Sequence, residues 1–149
     1  MTERVRNKGV PTLPCACANL RRAARVVTAL YDEELRPAGL RSTQLVLLQV
    51  LEEVGEVIQR DLGGLLAIDT TTLTRSLALL ARGGLLESRA GSDRRERVWR
   101  LTAAGRRECR RLERYWERAE AKLRKAMGEE DWNRLSAILE RIVRAVEQG

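Results

Sequence analysis

The sequence contains no histidine and no phenylalanine, and aromatic residues make up only 3% of its 149 positions. Without histidine the chain lacks the commonest general base and the commonest metal ligand of proteins. With so few aromatic side chains, the core has to consist mainly of leucine, valine, isoleucine and alanine, a composition that suits helices. These absences argue against an enzyme and favour a helical protein.

Cysteine is also scarce, and its arrangement excludes two common roles. Three cysteines are an odd number, so they do not form a disulfide framework. Cys15-x-Cys17 and the distant Cys109 lack the spacing of a zinc site. No apolar run approaches the roughly 20 residues of a membrane span, and the charged start of the chain is unlike a secretory signal. We expect a cytoplasmic protein with no cofactor, no metal and no membrane partner.

Charge and length point to a globular protein with an anionic partner. Hydrophobic residues are 44% and charged residues 33% of the chain, which fits one domain with a hydrophobic core. The net charge is +7, and nucleic acid is the usual partner of a basic protein. Arginine greatly outnumbers lysine, as GC-rich coding would also produce. Charge alone therefore does not distinguish a nucleic-acid partner from an effect of base composition.

The central stretch, residues 58 to 102, has the order of a winged helix-turn-helix. Helices are predicted over residues 58 to 66 and 69 to 83, separated by a short break. An apolar strand, a basic tip at residues 91 to 95 and a second strand over residues 98 to 101 follow. Such an order presents one helix to the DNA major groove and one basic loop to the groove beside it. We therefore predict a mainly α fold with a small β-hairpin wing.

The terminal segments are predicted to be helices with apolar faces. The seam of the helix after residue 102 has intervals of 3, 4, 3, 4 and 3, as in a coiled coil. Its positions are Cys109, Leu112, Trp116, Ala119, Leu123 and Ala126. Packing within one chain also explains such a seam, but the central region already has its own core. We expect a single chain of residues 1–149, in which residues 14–36 and 103–147 form a homodimer and residues 42–102 bind DNA.

The predicted second helix of the pair carries a polar face at its start. Asp69 is a good N-cap, because its carboxylate accepts amide hydrogens of the first turn. The candidate DNA-contacting residues are Thr70, Thr71, Thr72, Thr74 and Arg75. Hydroxyls and guanidinium groups bind phosphates or base edges, and a threonine methyl packs on thymine. A plain amphipathic helix would also expose polar residues, but three successive threonines are a poor choice for helix stability.

The hairpin tip contains Asp93, Arg94 and Arg95. An arginine here can enter a narrow minor groove, where the negative potential is strongest. Asp93 is unusual beside phosphates unless it orients a neighbour, for example by a hydrogen bond to a guanidinium. An ordinary charged turn is the alternative.

These segments resemble the MarR family of transcriptional regulators. The wing signature is Asp93-x-Arg95 followed by Leu101-Thr102 and Gly105. The recognition-helix motif is Ile68-Asp69-x-x-x-Leu73-Thr74-Arg75 with Leu80, Gly84 and Leu85. A further match is Leu35-x-Pro37-x-Gly39-Leu40 with Gln44 and Leu48. The resemblance covers residues 14 to 147 and is most specific in the wing.

The resemblance implies a winged-helix homodimer with a helical dimerisation region. It also implies binding to a pseudo-palindromic operator on double-stranded DNA, usually as a repressor. By position, Thr71, Thr72 and Arg75 would read the major groove and Arg95 the minor groove.

The first helix resembles the reactive-cysteine segment of the organic-hydroperoxide-sensing branch of that family. Cys17 would be the sensing thiol, and Tyr31 falls where that branch has a tyrosine that hydrogen-bonds it. Fourteen helical residues span about 21 Å, so the contact would have to cross the dimer. Arg21 stands where the branch has a second tyrosine, and Cys109 does not match a resolving cysteine. An inert small hydrophobic cysteine remains the alternative.

The signal could instead be a small molecule. In the family, aromatic or phenolic acids commonly bind between the dimerisation and DNA-binding parts. Arg21, Arg22 and Arg25 on the first helix are candidates to meet a carboxylate. Two other functions are alternatives. A winged-helix interaction module that does not bind DNA directly would expose apolar residues in place of the threonines and arginines. An enzyme is the other, but the sequence has no glycine-rich cofactor loop.

Overall fold

The structure is a computed structural model that describes residues 13–93 and 95–147. The helices are α1 (Ala16–Leu35), α2 (Ser42–Val54), α3 (Gln59–Leu66), α4 (Thr70–Arg82), α5 (Ala103–Met127) and α6 (Glu129–Glu147). The strands are β1 (Glu56–Ile58), β2 (Leu86–Ala90) and β3 (Arg97–Leu101). None of the helices within these ranges is long and apolar enough to cross a membrane.

The predicted mainly α fold with a hairpin wing is confirmed, but the wing belongs to a larger sheet. Three antiparallel strands pair in the order β1-β3-β2, and Trp99 of β3 lies between Val57 of β1 and Ser88 of β2. The sequence predicted a helix already at residue 58, and this was wrong. Gly55, at φ 80°, turns the chain after α2, and three residues are too short for the alternation that identifies a strand.

The core forms around α2. Leu47, Leu48 and Leu51 are at most 1% exposed, and α2 contacts α1, α4, α5, β1 and β3. Leucines of α3, α4, β3 and α5 complete the same cluster. A helix that is buried over most of its circumference needs apolar residues on several faces, as α2 has.

The turn between α3 and α4 is tight. Ala67 adopts a left-handed conformation at φ 49°, and the N–H of Ile68 donates to the carbonyl of Gly63 at 3.1 Å. A Cβ on Gly63 would lie 3.2 Å from a methyl carbon of Leu73. The absence of a side chain at Gly63 therefore lets the two helices pack closely.

The start of α5 is joined to the end of the recognition region by Thr102 and Gly105. Thr102 caps α5 by accepting the N–H of Gly105 at 2.9 Å, and its hydroxyl donates to the carbonyl of Gly84 at 2.7 Å. A Cβ on Gly105 would lie 2.1 Å from the carbonyl oxygen of Leu85. The Leu101-Thr102 and Gly105 motif thus has a packing role.

Replacement Gly105→Ala should destabilise the fold by about 1–3 kcal/mol, because the added methyl overlaps backbone that cannot rotate away. Gly64→Ala is the matched control, since a Cβ there would meet no neighbouring element within 4 Å and alanine favours the helix by up to about 1 kcal/mol. Urea unfolding followed by circular dichroism measures both. Equal stability of the two variants would contradict the close approach.

Candidate nucleic-acid interface

Helix α4 has one buried and one exposed side. Leu73, Leu77 and Leu80 are at most 2% exposed. All five predicted contact residues of this helix are exposed: Thr70, Thr71, Thr72, Thr74 and Arg75. The structure therefore places the predicted hydroxyls and guanidinium at the surface, with leucines behind them.

The beginning of α4 is fixed by its predicted cap. The Asp69 carboxylate accepts the backbone N–H of Thr72 at 2.9 Å. Hydrogen bonds from the Thr72 side chain and backbone hold the pKa of Asp69 below its usual value. The cap fixes the first turn of α4, and the exposed threonine hydroxyls beside it can bind a phosphate oxygen.

The wing tip is shaped by Asp93, which orients a neighbour through its backbone, while the predicted hydrogen bond to a guanidinium stays a prediction. Its carboxylate accepts the backbone N–H of Arg95 at 2.9 Å, and its carbonyl accepts the N–H of Glu96 at 2.9 Å. Aspartate commonly closes a turn in this way, because its short side chain reaches the backbone N–H two residues further on. Arg95 is exposed, whereas Arg94 lies outside the described residues.

A groove separates the wing from the helix pair. It has a volume of about 870 Å³, and Thr70, Asp93 and Arg95 are among the residues that line it. Arg60 also lines it and lies 3.7 Å from Glu96 of the wing. The sequence did not single out Arg60, although its place at the start of the first helix of the pair was a usable signal.

A chain of side-chain hydrogen bonds, also unpredicted, joins the wing sheet to α4. The indole N–H of Trp99 donates to Oε1 of Gln59 at 3.0 Å, and Nε2 of Gln59 donates to Oγ1 of Thr74 at 3.0 Å. Gln59 is the first residue of α3. No sequence pattern links three residues that lie so far apart in the chain.

The predicted sensing residues, Cys17 and Tyr31, lie on α1, and the three cysteines of the protein differ in exposure. Cys15 and Cys17 are exposed. Tyr31 donates a hydrogen bond to Glu120 of α5 in the same chain, and burial together with this bond raises the pKa of Tyr31. Cys109 is buried, and burial, with Glu52 nearby, raises the pKa of its thiol to about 12, so it is a poor nucleophile.

A mainly apolar cavity of about 540 Å³ lies between α1, α2, α4 and α5. Val27, Tyr31, Leu45, Val46, Ile68 and Trp116 are among the residues that line it, together with Thr28, Ser42, Thr43, Gln49, Ala67, Asp69 and Thr72. Arg21, Arg22 and Arg25 do not line it. The first and third are exposed and Arg22 is half-buried.

The last helix exposes a row of apolar side chains. Those with at least a third of their surface exposed are Ile138, Leu139, Ile142, Val143 and Val146. Leu20 and Val26 of α1 are likewise exposed. Contiguous apolar surface of this kind marks an interaction site.

Comparison with known proteins identifies the fold. Residues 40–105 match the family described as a winged helix DNA-binding domain. The M. tuberculosis transcriptional regulator MosR superimposes with a TM-score of 0.79 at 33% identity, over 91% of this chain and 98% of that one. MosR in complex with DNA gives a TM-score of 0.78 at 34% identity, over 90% and 97%.

Two more distant comparisons agree. The uncharacterized HTH-type transcriptional regulator YwoH of Bacillus subtilis (strain 168) is 31% identical over 83 residues, which are 56% of this chain and 61% of that protein. The chain thus matches less than two thirds of that relative. Wild-type MarR from E. coli superimposes with a TM-score of 0.72 at 20% identity, over 88% and 98%, a likeness of fold alone.

Proposed function

The chain belongs to the MarR family of winged helix-turn-helix transcriptional regulators, and we propose that it is a homodimeric repressor of a pseudo-palindromic operator. The observation that carries the proposal is the groove between α4 and the wing, whose walls include Thr70 and Arg95. The MosR relative solved with DNA covers nearly the whole chain at 34% identity, which supports DNA as the partner.

The proposed division of labour follows the two ends of the fold. Residues 42–102 read DNA: Thr70, Thr71, Thr72, Thr74 and Arg75 in the major groove, and Asp93, Arg94 and Arg95 at the wing in the minor groove. Two such units on a dimer axis meet half-sites about one helical turn, roughly 34 Å, apart.

The homodimer uses the segments 14–36 and 103–147. Its support is the apolar row of α6 together with Leu20 and Val26 of α1, which lie exposed in a single chain. A symmetric pair of chains buries the same patch on both subunits and so removes this surface from water.

One proposed signal is a small aromatic effector in the cavity between α1, α2, α4 and α5. Asp69 and Thr72 line this cavity and also cap the recognition helix. A ligand that fits only when the cap has moved would shift the dimer toward a state with weaker DNA binding. Because none of the described residues that line the cavity is basic, an anionic effector would need Arg21, Arg22 or Arg25 at a separate site on α1.

The other proposed signal is oxidation of Cys17. The thiolate sulfur attacks the terminal oxygen of an organic hydroperoxide, the O–O bond breaks and the cysteine becomes a sulfenic acid. The leaving alkoxide takes a proton from water and departs as an alcohol. Exposure of Cys17 supports access of the oxidant. Tyr31 of the opposite chain would be its partner in the dimer.

The alternative is a winged-helix interaction module without direct DNA binding. Leu65 and Leu79 are 64% and 51% exposed, which gives a partner protein some apolar surface. The exposed hydroxyls of α4 and the basic wing favour DNA instead.

Replacement Arg95→Ala should weaken specific DNA binding about tenfold, since a minor-groove guanidinium is lost. Fluorescence anisotropy with the upstream DNA of its own gene, and with duplexes selected from a random pool, measures the affinity. Arg141→Ala is the matched control, because it removes the same charge from an exposed position of α6 that belongs neither to the DNA-reading residues nor to the apolar row. Equal losses in both variants, or no specific duplex for the unaltered protein, would favour the interaction module.

Organic hydroperoxide should lower operator affinity in the unaltered protein but not in Cys17→Ser. Cys15→Ser is the control for a general effect of thiol loss and should keep the response. The measurement is anisotropy before and after cumene hydroperoxide and again after reduction. Loss of DNA binding by oxidised Cys17→Ser would assign the response to another residue.

Replacement Val143→Glu should convert dimers to monomers, because it places a charge in the apolar row of α6. Arg144→Glu is the control, since at 100° per residue it lies about 170° from the middle of the apolar row. Light scattering after size-exclusion chromatography measures the mass. An unchanged dimer in Val143→Glu would place the interface elsewhere.

A further inference from the structure

The hydrogen-bond chain from Trp99 through Gln59 to Thr74 has a defined direction. An indole N–H can only donate, so the Gln59 atom that faces Trp99 has to be its oxygen. The amide nitrogen then faces Thr74, as the two 3.0 Å contacts have it. The orientation of this amide is therefore fixed by chemistry and not by an arbitrary choice between its two ends.

The fold holds the donor and the acceptor of these hydrogen bonds in place. Trp99 is 7% exposed and sits in the central strand, paired with Val57 on one side and Ser88 on the other. Gln59 follows directly on β1, whose Ile58 pairs with Val98. The amide of Gln59 is thus presented to α4 from a fixed backbone.

The hydrogen bond from Gln59 decides what the Thr74 hydroxyl can still bind. Its oxygen already accepts from Gln59, which uses one of its two lone pairs. Within the described part of the chain no group accepts the Thr74 proton, although a helical threonine often donates to the carbonyl one turn earlier. Thr74 is exposed, so its proton is left for an acceptor outside the protein.

We propose that Gln59 is a positioning residue for DNA recognition, which makes Thr74 a hydrogen-bond donor to an acceptor on DNA. The acceptor is a phosphate oxygen or a base-edge oxygen or nitrogen, since both accept from a hydroxyl. The same chain ties the recognition helix to the strand that leads from the wing. The inference rests on the proposed function as a DNA-binding regulator.

The decisive variant is Gln59→Glu, which reverses the direction of the second bond. An ionised carboxylate has acceptors only, so it takes both the Trp99 indole proton and the Thr74 hydroxyl proton and leaves no proton for DNA. Its added negative charge also repels phosphates. That general effect is measured separately by making the same change in a Thr74→Val background, where no hydroxyl exists.

The experiment is anisotropy with an operator duplex selected by the unaltered protein. We expect Thr74→Val to weaken binding about fivefold, the net worth of one hydrogen bond. Gln59→Glu should cost about fivefold more affinity in the presence of Thr74 than in the Thr74→Val background. Equal costs in the two backgrounds, or full affinity of Thr74→Val, would overturn the proposal. An unaltered protein that selects no duplex would instead remove the proposed function itself.

A neutral variant and a spectroscopic readout keep the test independent of folding. Gln59→Met retains the length of the side chain and loses both hydrogen bonds, so the indole N–H signal of Trp99 should shift in the ¹H–¹⁵N spectrum of the free protein. The Gln59→Met/Thr74→Val double variant should bind no more weakly than Thr74→Val. The proposed hydrogen bonds would be contradicted by an unmoved indole signal. They would also be contradicted if the affinity losses of Gln59→Met and Thr74→Val were additive in the double variant.

Single base-pair changes across the operator separate the two acceptors. If Thr74 donates to a phosphate, Thr74→Val weakens every duplex by the same factor. If it donates to a base edge, the loss disappears at one altered base pair. Both outcomes support the proposal.

Discussion

Burial of the α2 leucines is the interaction on which the rest of the structure depends. Leu47, Leu48 and Leu51 are almost fully removed from water, and each contributes about 1.5–3 kcal/mol. Together with Leu45 and the partly buried Val50 they cover several faces of one short helix, so α1, α4, α5 and the sheet all pack on it. The DNA-reading elements and the long helix proposed for dimerisation therefore share a single hub.

Because packing on α2 stabilises α4, the exposed residues of α4 can serve binding and need not stabilise the helix. Because Leu73, Leu77 and Leu80 hold the helix from behind, its outer face tolerates threonines that contribute little to helix stability. The wing is held in the same way, through β3 at the centre of the sheet. Because the backbone of such a support is already ordered, it loses little conformational entropy when its hydroxyls and guanidinium groups bind.

The proposed sensing and reading functions meet at the beginning of α4. Asp69 and Thr72 belong both to the helix cap and to the wall of the apolar cavity. On the far side of that cavity, Tyr31 is bound to Glu120 of α5, and buried Glu34 pairs with Arg118 and with Lys122. These contacts fix α1 on α5, so a ligand in the cavity would act on the Asp69 cap at the beginning of α4 while α1 and α5 stay joined.

The sequence by itself determined the helices, the cap at Asp69, the hairpin and the exposed polar face of α4, because these follow from local periodicity and from capping chemistry. It did not identify β1, since three residues form a strand only when a partner such as β3 is present. It also did not show that Asp93 accepts the N–H of Arg95 in the wing tip, because such a contact depends on the conformation of the turn. Only the tertiary structure decided that Gln59, Thr74 and Trp99 are joined and that Gly105 lies against the carbonyl of Leu85, because contacts between distant residues depend on the packing of whole elements.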